Sequence, residues 1–286
     1  MINIAIFIQQ FIASLTHIIA KDVTNEVSAE KILLFRALIA TLVYFIFLGL
    51  RKSSFKKIEA KDWWFVAILG ILNIPINQYL FLIGIHYTSA PNVSLAYALS
   101  PIFVFIVAAF FLKEKASYFK ISGIILAVLG AVVLLSEKGF KFSSDSMTGD
   151  IYALLASFSW GLYTIIGRNF TRKYGAIYST ALAMLSGLIF FLPFYFIFDG
   201  SMNFSEISIS NWFQIFYLGA ITSGLGYALW FYALKKIDAS KLSVFNNFQP
   251  VLTAILSFLI FGTGVSLYFV VGGIMIILGV FLTQNG

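Results

Sequence analysis

Amide, hydroxyl and aromatic side chains sit inside stretches that are otherwise apolar: Gln9 and Gln10; Asn73, Asn77, Gln78 and Tyr79; Tyr97 and Ser100; Trp160 and Tyr163; Tyr227 and Trp230; Asn246, Asn247 and Gln249. An amide facing hydrocarbon is costly, so such groups turn inward, toward another helix or a wet cavity. Each alone fits an interhelical hydrogen bond at least as well as a ligand contact. As a set they fall on six apolar runs and avoid the others, which points to one central polar place. Their chemistry is recognition without bond-making: amides donate and accept, and aromatic rings cover apolar groups. Gln10, Asn77, Tyr79, Tyr97, Trp160, Tyr163, Tyr227, Trp230, Asn246 and Asn247 are the candidate substrate contacts.

Charge inside the apolar runs is scarce. The 12 acidic residues fall between the runs or at their ends, Glu114 deepest, so coupling through a mid-membrane carboxylate is disfavoured, as is holding a cation by direct ion pairing. Arg36 is the lone Lys or Arg within a run. Two readings stay open for it: snorkelling to the nearby interface, or an anion partner that meets a substrate carboxylate. His17, near the same end, reads as a core or interfacial histidine rather than a proton sensor. Metalloprotease and phosphate-loop patterns and an intramembrane Asp pair are all missing, and His17 and His86 are the only histidines. An enzyme is not expected, nor a cofactor or metal.

Pro75, Pro101 and Pro250 should bend their helices. Pro101 and Pro250 deprive the carbonyls of Tyr97 and Asn246 of their usual donor; these become ligand contacts, or the prolines serve packing alone. Small residues at every fourth position mark close helix contacts: Gly123, Ala127 and Ala131, and Ala220, Gly224 and Ala228. The first stripe reads as scaffold or as the face of a homodimer. The second, beside Tyr227 and Trp230, serves packing or sliding.

The elements that must position these residues follow from composition. Of 286 residues 60% are hydrophobic, 18% aromatic and 11% charged, too apolar to cover a water-soluble globule. Hydrocarbon about 30 Å thick takes roughly 20 apolar residues per helix, and ten such helices would use about 200 residues. Apolar runs without alternation are helices, not barrel strands. The expected spans are 2–20, 32–50, 63–86, 92–112, 121–135, 151–166, 176–198, 212–234, 242–261 and 265–282. The first has no basic residue before it and no small-residue cleavage site, and is read as a retained helix. With no cysteine, disulfides and sulfur-ligated metal are excluded.

The chain also repeats itself. Gly70 and Gly219 are 149 positions apart, and the same step pairs Trp63 with Trp212, Ser94 with Ser243, Tyr97 with Asn246, Pro101 with Pro250, Gly123 with Gly272 and Gly130 with Gly279. Five spans per unit is odd, so the second unit enters the membrane from the opposite side. Loop charge agrees: of 19 basic residues, 14 fall on the side of the N-terminus, four (Lys21, Lys31, Lys138, Lys141) on the other, and Arg36 within a span. The formal net charge of +7 is thus positive-inside bias, not a nucleic-acid surface. The fold class is all-α membrane protein, ten transmembrane helices in two inverted five-helix repeats, 1–136 and 151–286, joined by a linker at 137–150. Both termini are expected in the cytoplasm. The expected partners are a small-molecule substrate and the bilayer.

Ten spans, the inverted repeat, a proline in the fourth and ninth spans, and the ending EKASYFKISGIILAVLGAVVLL together resemble the EamA family of the drug/metabolite transporter superfamily. Arg36, Pro101 with Glu114, and Gly123 with Gly130 carry the resemblance, which spans nearly the whole chain; Pro250, Gly272 and Gly279 repeat it. Thr263 stands where a second acidic residue would match Glu114. The resemblance implies a multi-pass carrier in the plasma membrane, commonly an exporter of amino acids or other small metabolites. The expectation is alternating-access transport of small neutral or zwitterionic, amino-acid-like metabolites, most commonly outward. Uptake, or a membrane structural or sensory protein with its cavity packed shut, are the alternatives.

Overall fold

The computed structural model describes residues 2–50, 57–112, 117–136, 144–200, 204–205, 207–261 and 267–286. Arg51, Lys52, Lys56, Lys113, Glu114, Lys115, Lys138, Lys141 and Thr263, on which part of the charge and family reading rests, lie outside the described residues. Among the described residues all regular structure is helical. The helices are α1 (Ile2–Val23), α2 (Ala29–Leu50), α3 (Ala60–Tyr87), α4 in two pieces (Ala90–Ala98 and Ser100–Phe111), α5 (Tyr118–Ser136), α6 (Ser144–Tyr174), α7 (Ala176–Phe198) and α8 (Ile209–Leu234). There follow α9, assembled from Ala239–Ser243, a 3-10 turn at Val244–Asn247 and Phe248–Phe261, and α10 (Leu267–Asn285).

Polarity is arranged inside out. Phe7, Leu42, Phe110 and Phe213 are 60–79% exposed, while Gln10, Ser14, Asn73, Asn77, Ser100 and Asn246 are buried. Water would reverse that distribution; hydrocarbon favours it. Six stretches, within α1, α2, α3, α4, α7 and α8, are long and apolar enough to cross a bilayer, and α5 and α10 carry shorter apolar segments. The protein is a multi-pass membrane protein.

Local chemistry explains where the helices depart from the expected spans. α6 starts at Ser144, inside the stretch expected as linker, and runs through RNFTRKY, expected as a loop, to Tyr174. Nothing in that stretch breaks a helix until Gly175, whose φ of +93° suits a residue without a Cβ. The bend expected at Pro75 is a π-helical segment, Leu72–Gln78, within α3. A second π segment, Tyr217–Gly226, sits in α8; the 149-residue step carries 72–78 onto 221–227, so the two overlap. Such turns are rare and gather at functional sites.

The freed carbonyls expected at Pro101 and Pro250 are not found. α4 breaks at Leu99, and the N–H groups there reach the carbonyls of Leu95, Ala96 and Tyr97. In α9 the 3-10 turn lets N–H groups reach Phe245 and Asn246. Tightening to shorter hydrogen bonds supplies the donors that the prolines remove.

Close contacts lock the frame. A Cβ on Gly123 would lie 2.6 Å from the Gly279 carbonyl, and one on Gly279 2.5 Å from the Ala127 nitrogen, so α5 and α10 touch backbone to backbone. The small-residue stripe of α5 is therefore scaffold within the chain. α3 and α7 cross in the same way at Gly70 and Gly187. At one end Lys21 Nζ donates to the carbonyls of Ile85, His86 and Thr88 at 2.9–3.0 Å, capping α3 with a positive charge. At the other, Lys173 of α6 pairs with Glu59 and Asp62 at the start of α3. Lys173 and Lys61 hold the Glu59 carboxyl below its usual range.

Candidate functional site

α1 presents Gln9, Ile12, Ala13, Thr16 and His17 at steps of three and four, one stripe of its surface. The stripe faces Asn77, Gln78 and Phe81 where α3 passes through its π segment, Tyr97 before the break in α4, and Trp160 of α6. Arg36 of α2, Thr222, Gly226 and Tyr227 of α8, and Gln249 of α9 complete a cavity with ≈ 60 Å³ of space for water-sized groups.

One wall is a chain of amides. Gln10 Nε2 donates to Gln9 Oε1 at 2.7 Å and to Asn246 Oδ1 at 3.2 Å. Gln249 Nε2 donates to Gln10 Oε1 at 3.0 Å and to Asn246 Oδ1 at 3.3 Å, while Asn246 Nδ2 donates to Ser100 Oγ at 2.9 Å. Gln249 Oε1 lies 3.0 Å from His17 Nε2. The His17 ring is boxed edge-on by Phe81 and Tyr97, with centroids 5.5 and 5.8 Å away.

A second cluster is aromatic. Trp160 packs on Tyr227 and Trp230 at 5.1 and 5.3 Å, and Tyr163 stands edge-on to Phe231 at 5.0 Å. Asn77 joins the walls: its Nδ2 donates to Tyr97 Oη at 2.9 Å and to the Ala156 carbonyl at 2.7 Å. Arg36, 2% exposed, gives Nε to Ser223 Oγ at 2.8 Å and leaves Nη1 without a partner. It stands seven residues into α2, about 10 Å along the axis. Its full burial sets the snorkelling reading aside.

A cavity walled by amides and rings, with one arginine and no carboxylate among its described lining residues, suits binding of a small polar solute. The profile of the EamA-like transporter family matches residues 1–136 and again 147–284. The chain belongs to the EamA-like transporter family. Among relatives of this EamA-like chain is an uncharacterized transporter, YyaM, of Bacillus subtilis (strain 168), 31% identical over 240 residues, 83% of this chain and 77% of the relative. An uncharacterized transporter of Archaeoglobus fulgidus is 28% identical over 235 residues, 81% of this chain and 80% of the relative. A solved crystal structure superposes with a TM-score of 0.79 at 19% identity, covering 99% of this chain and 97% of its own, and shares the fold.

In this EamA-like protein the cavity holds four of the ten candidate contacts, Asn77, Tyr97, Trp160 and Tyr227, together with Arg36. Gln10 and Asn246 stand behind Gln9 and Gln249 and hold them in place. Tyr163 and Trp230 back the aromatic wall, and Trp230 Nε1 donates to Thr164 Oγ1 at 3.1 Å. Tyr79 faces elsewhere, its hydroxyl donating to Glu30 at 2.6 Å and its ring against Phe191. Asn247 turns back to the Val244 carbonyl. Those six do not line this cavity; they support it or pack separately.

The reading by type missed Thr16, His17, Phe81 and Thr222, and chose Gln10 and Asn246 where Gln9 and Gln249 line the space. For α1 a signal was available: 9, 12, 13, 16 and 17 share a helical face that excludes position 10.

Proposed function

We propose that the protein is a secondary carrier of small neutral or zwitterionic, amino-acid-like metabolites, working outward across the plasma membrane by alternating access. In this reading the chain crosses ten times, as two inverted five-helix units at 1–136 and 151–286, with both termini in the cytoplasm. The observation that carries it is the central cavity, to which α1–α4 of one unit and α6, α8 and α9 of the other all contribute. A site shared between two oppositely oriented units is what rocking one against the other exposes to each side in turn. The two family matches, one per half, support the duplication. The outward direction rests on the family resemblance.

Purified protein in liposomes, offered a panel of labelled amino acids, should show saturable flux that excess unlabelled solute suppresses. No saturable flux for any solute would return the chain to a structural or sensory role. Cells lacking the protein should retain a metabolite that overproducing cells release; the opposite pattern would make it an uptake carrier.

A further inference from the structure

Among the described residues lining the cavity, just two carry a buried nitrogen with no hydrogen-bond partner: Arg36 at Nη1 and His17 at Nδ1. A guanidinium N–H can only donate, and among the described residues no Asp or Glu lines the cavity to offset its charge. The partner that satisfies Nη1 and cancels that charge together is a carboxylate oxygen.

His17 asks for the reverse. Gln249 spends Nε2 on Gln10 and Asn246, so its Oε1 is the atom that meets His17 Nε2. His17 Nε2 then carries the hydrogen, and Nδ1 presents a lone pair that accepts an N–H or O–H. Space sets the distance between the two functions. The cavity offers ≈ 60 Å³ of space for water-sized groups, which favours a compact solute that carries acceptor and donor close together.

We infer that the site selects small carboxylates with a hydrogen-bond donor on the adjacent carbon, 2-amino and 2-hydroxy acids alike. Arg36 Nη1 takes the carboxylate and His17 Nδ1 accepts from the amino or hydroxyl group. This rests on the carrier reading, narrows it to solutes with a free carboxylate and, through the 2-hydroxy acids, extends it from zwitterions to small anions: amines, amides and esters without a free carboxylate are refused, and His17 becomes a specificity-determining residue. Gln249 is a positioning residue that fixes which ring nitrogen bears the hydrogen.

The test uses four probes of similar size, L-alanine, L-lactate, propionate and alaninamide. Each is measured by thermal stabilisation of the detergent-purified carrier and by competition against labelled alanine in liposomes. Alanine and lactate should both bind. Propionate, without the donor, and alaninamide, without the carboxylate, should each be weaker by roughly tenfold or more. R36Q should bring alaninamide to parity with alanine, R36K should keep the carboxylate preference, and H17F should bring propionate level with lactate. Alaninamide binding wild-type protein as well as alanine, unchanged ratios in folded R36Q, or no stabilisation by any probe would overturn the inference. The carrier reading stands or falls separately, on whether a wider panel of solutes shows any saturable flux.

Discussion

At the scale of single residues, burial and unmet hydrogen bonds separate side chains that hold the cavity from those that face it. Asn246 makes three hydrogen bonds, to Gln10, Gln249 and Ser100, so Asn246→Ala strands buried partners at about 1–3 kcal/mol for each left unsatisfied. A lower unfolding temperature in detergent should accompany any loss of transport. Tyr163 is the contrast: buried, its hydroxyl has no partner, so Tyr163→Phe should match or exceed the wild-type unfolding temperature. A marked fall would mean that the hydroxyl is bonded after all. Residue type alone told part of this. Arg36 stood out in the sequence because a charge within an apolar run is rare, and the amides because hydrocarbon does not tolerate them. Type gives no phase, however: Gln9 and Gln10 are the same residue one step apart, and about 100° of helix decides which lines the cavity. Tyr79 differs for a related reason, since a polar group can be satisfied by Glu30 as well as by a ligand, while Asn247 gives its Nδ2 to its own turn and keeps Oδ1 unpartnered among the described residues.

At the scale of elements, glycine placement fixes which helices touch backbone to backbone. Gly123→Leu would set a Cβ 2.4 Å from Thr283 Oγ1 and 2.6 Å from the Gly279 carbonyl, and backbone cannot give way as a side chain can. Separating α5 from α10 should cost at least the 1–3 kcal/mol typical of overpacking and lower the yield of folded protein. Gly273→Leu, in α10 with nothing within 4 Å of the added Cβ, should be tolerated, and equal behaviour of the two variants would refute backbone contact as the cause. The helices were largely legible because apolar runs of membrane length have few alternatives. Their ends were not. Polar RNFTRKY reads as a loop by composition, yet it lacks a breaker and is carried on as helix, with Arg168 paired to Asp238 and Lys173 to Asp62. The π segments were legible only as places where something must bend. Proline marks a missing donor without saying how the backbone makes up for it.

At the scale of the whole molecule, the proposed inverted repeat requires that equivalent positions face opposite sides of the membrane. The chain has no cysteine, so single cysteines report sidedness without background. Lys61 and Ser210 are 149 positions apart, each exposed at the start of α3 or α8; Tyr87 and Lys236 are the equivalent exposed pair at the far ends of the same helices. If the units are inverted, a membrane-impermeant maleimide added to intact cells should label Ser210→Cys and Tyr87→Cys. Lys61→Cys and Lys236→Cys should react only after permeabilisation. The loop charges are already distributed this way, since Lys61 lies in a basic stretch and Ser210 lies within 13 residues, 199–211, that hold no Lys or Arg. Equivalent cysteines that labelled from one side would mean that the two halves run parallel. The cavity could then still bind a solute, but turning it from one face of the membrane to the other would require a motion different from rocking two oppositely oriented units.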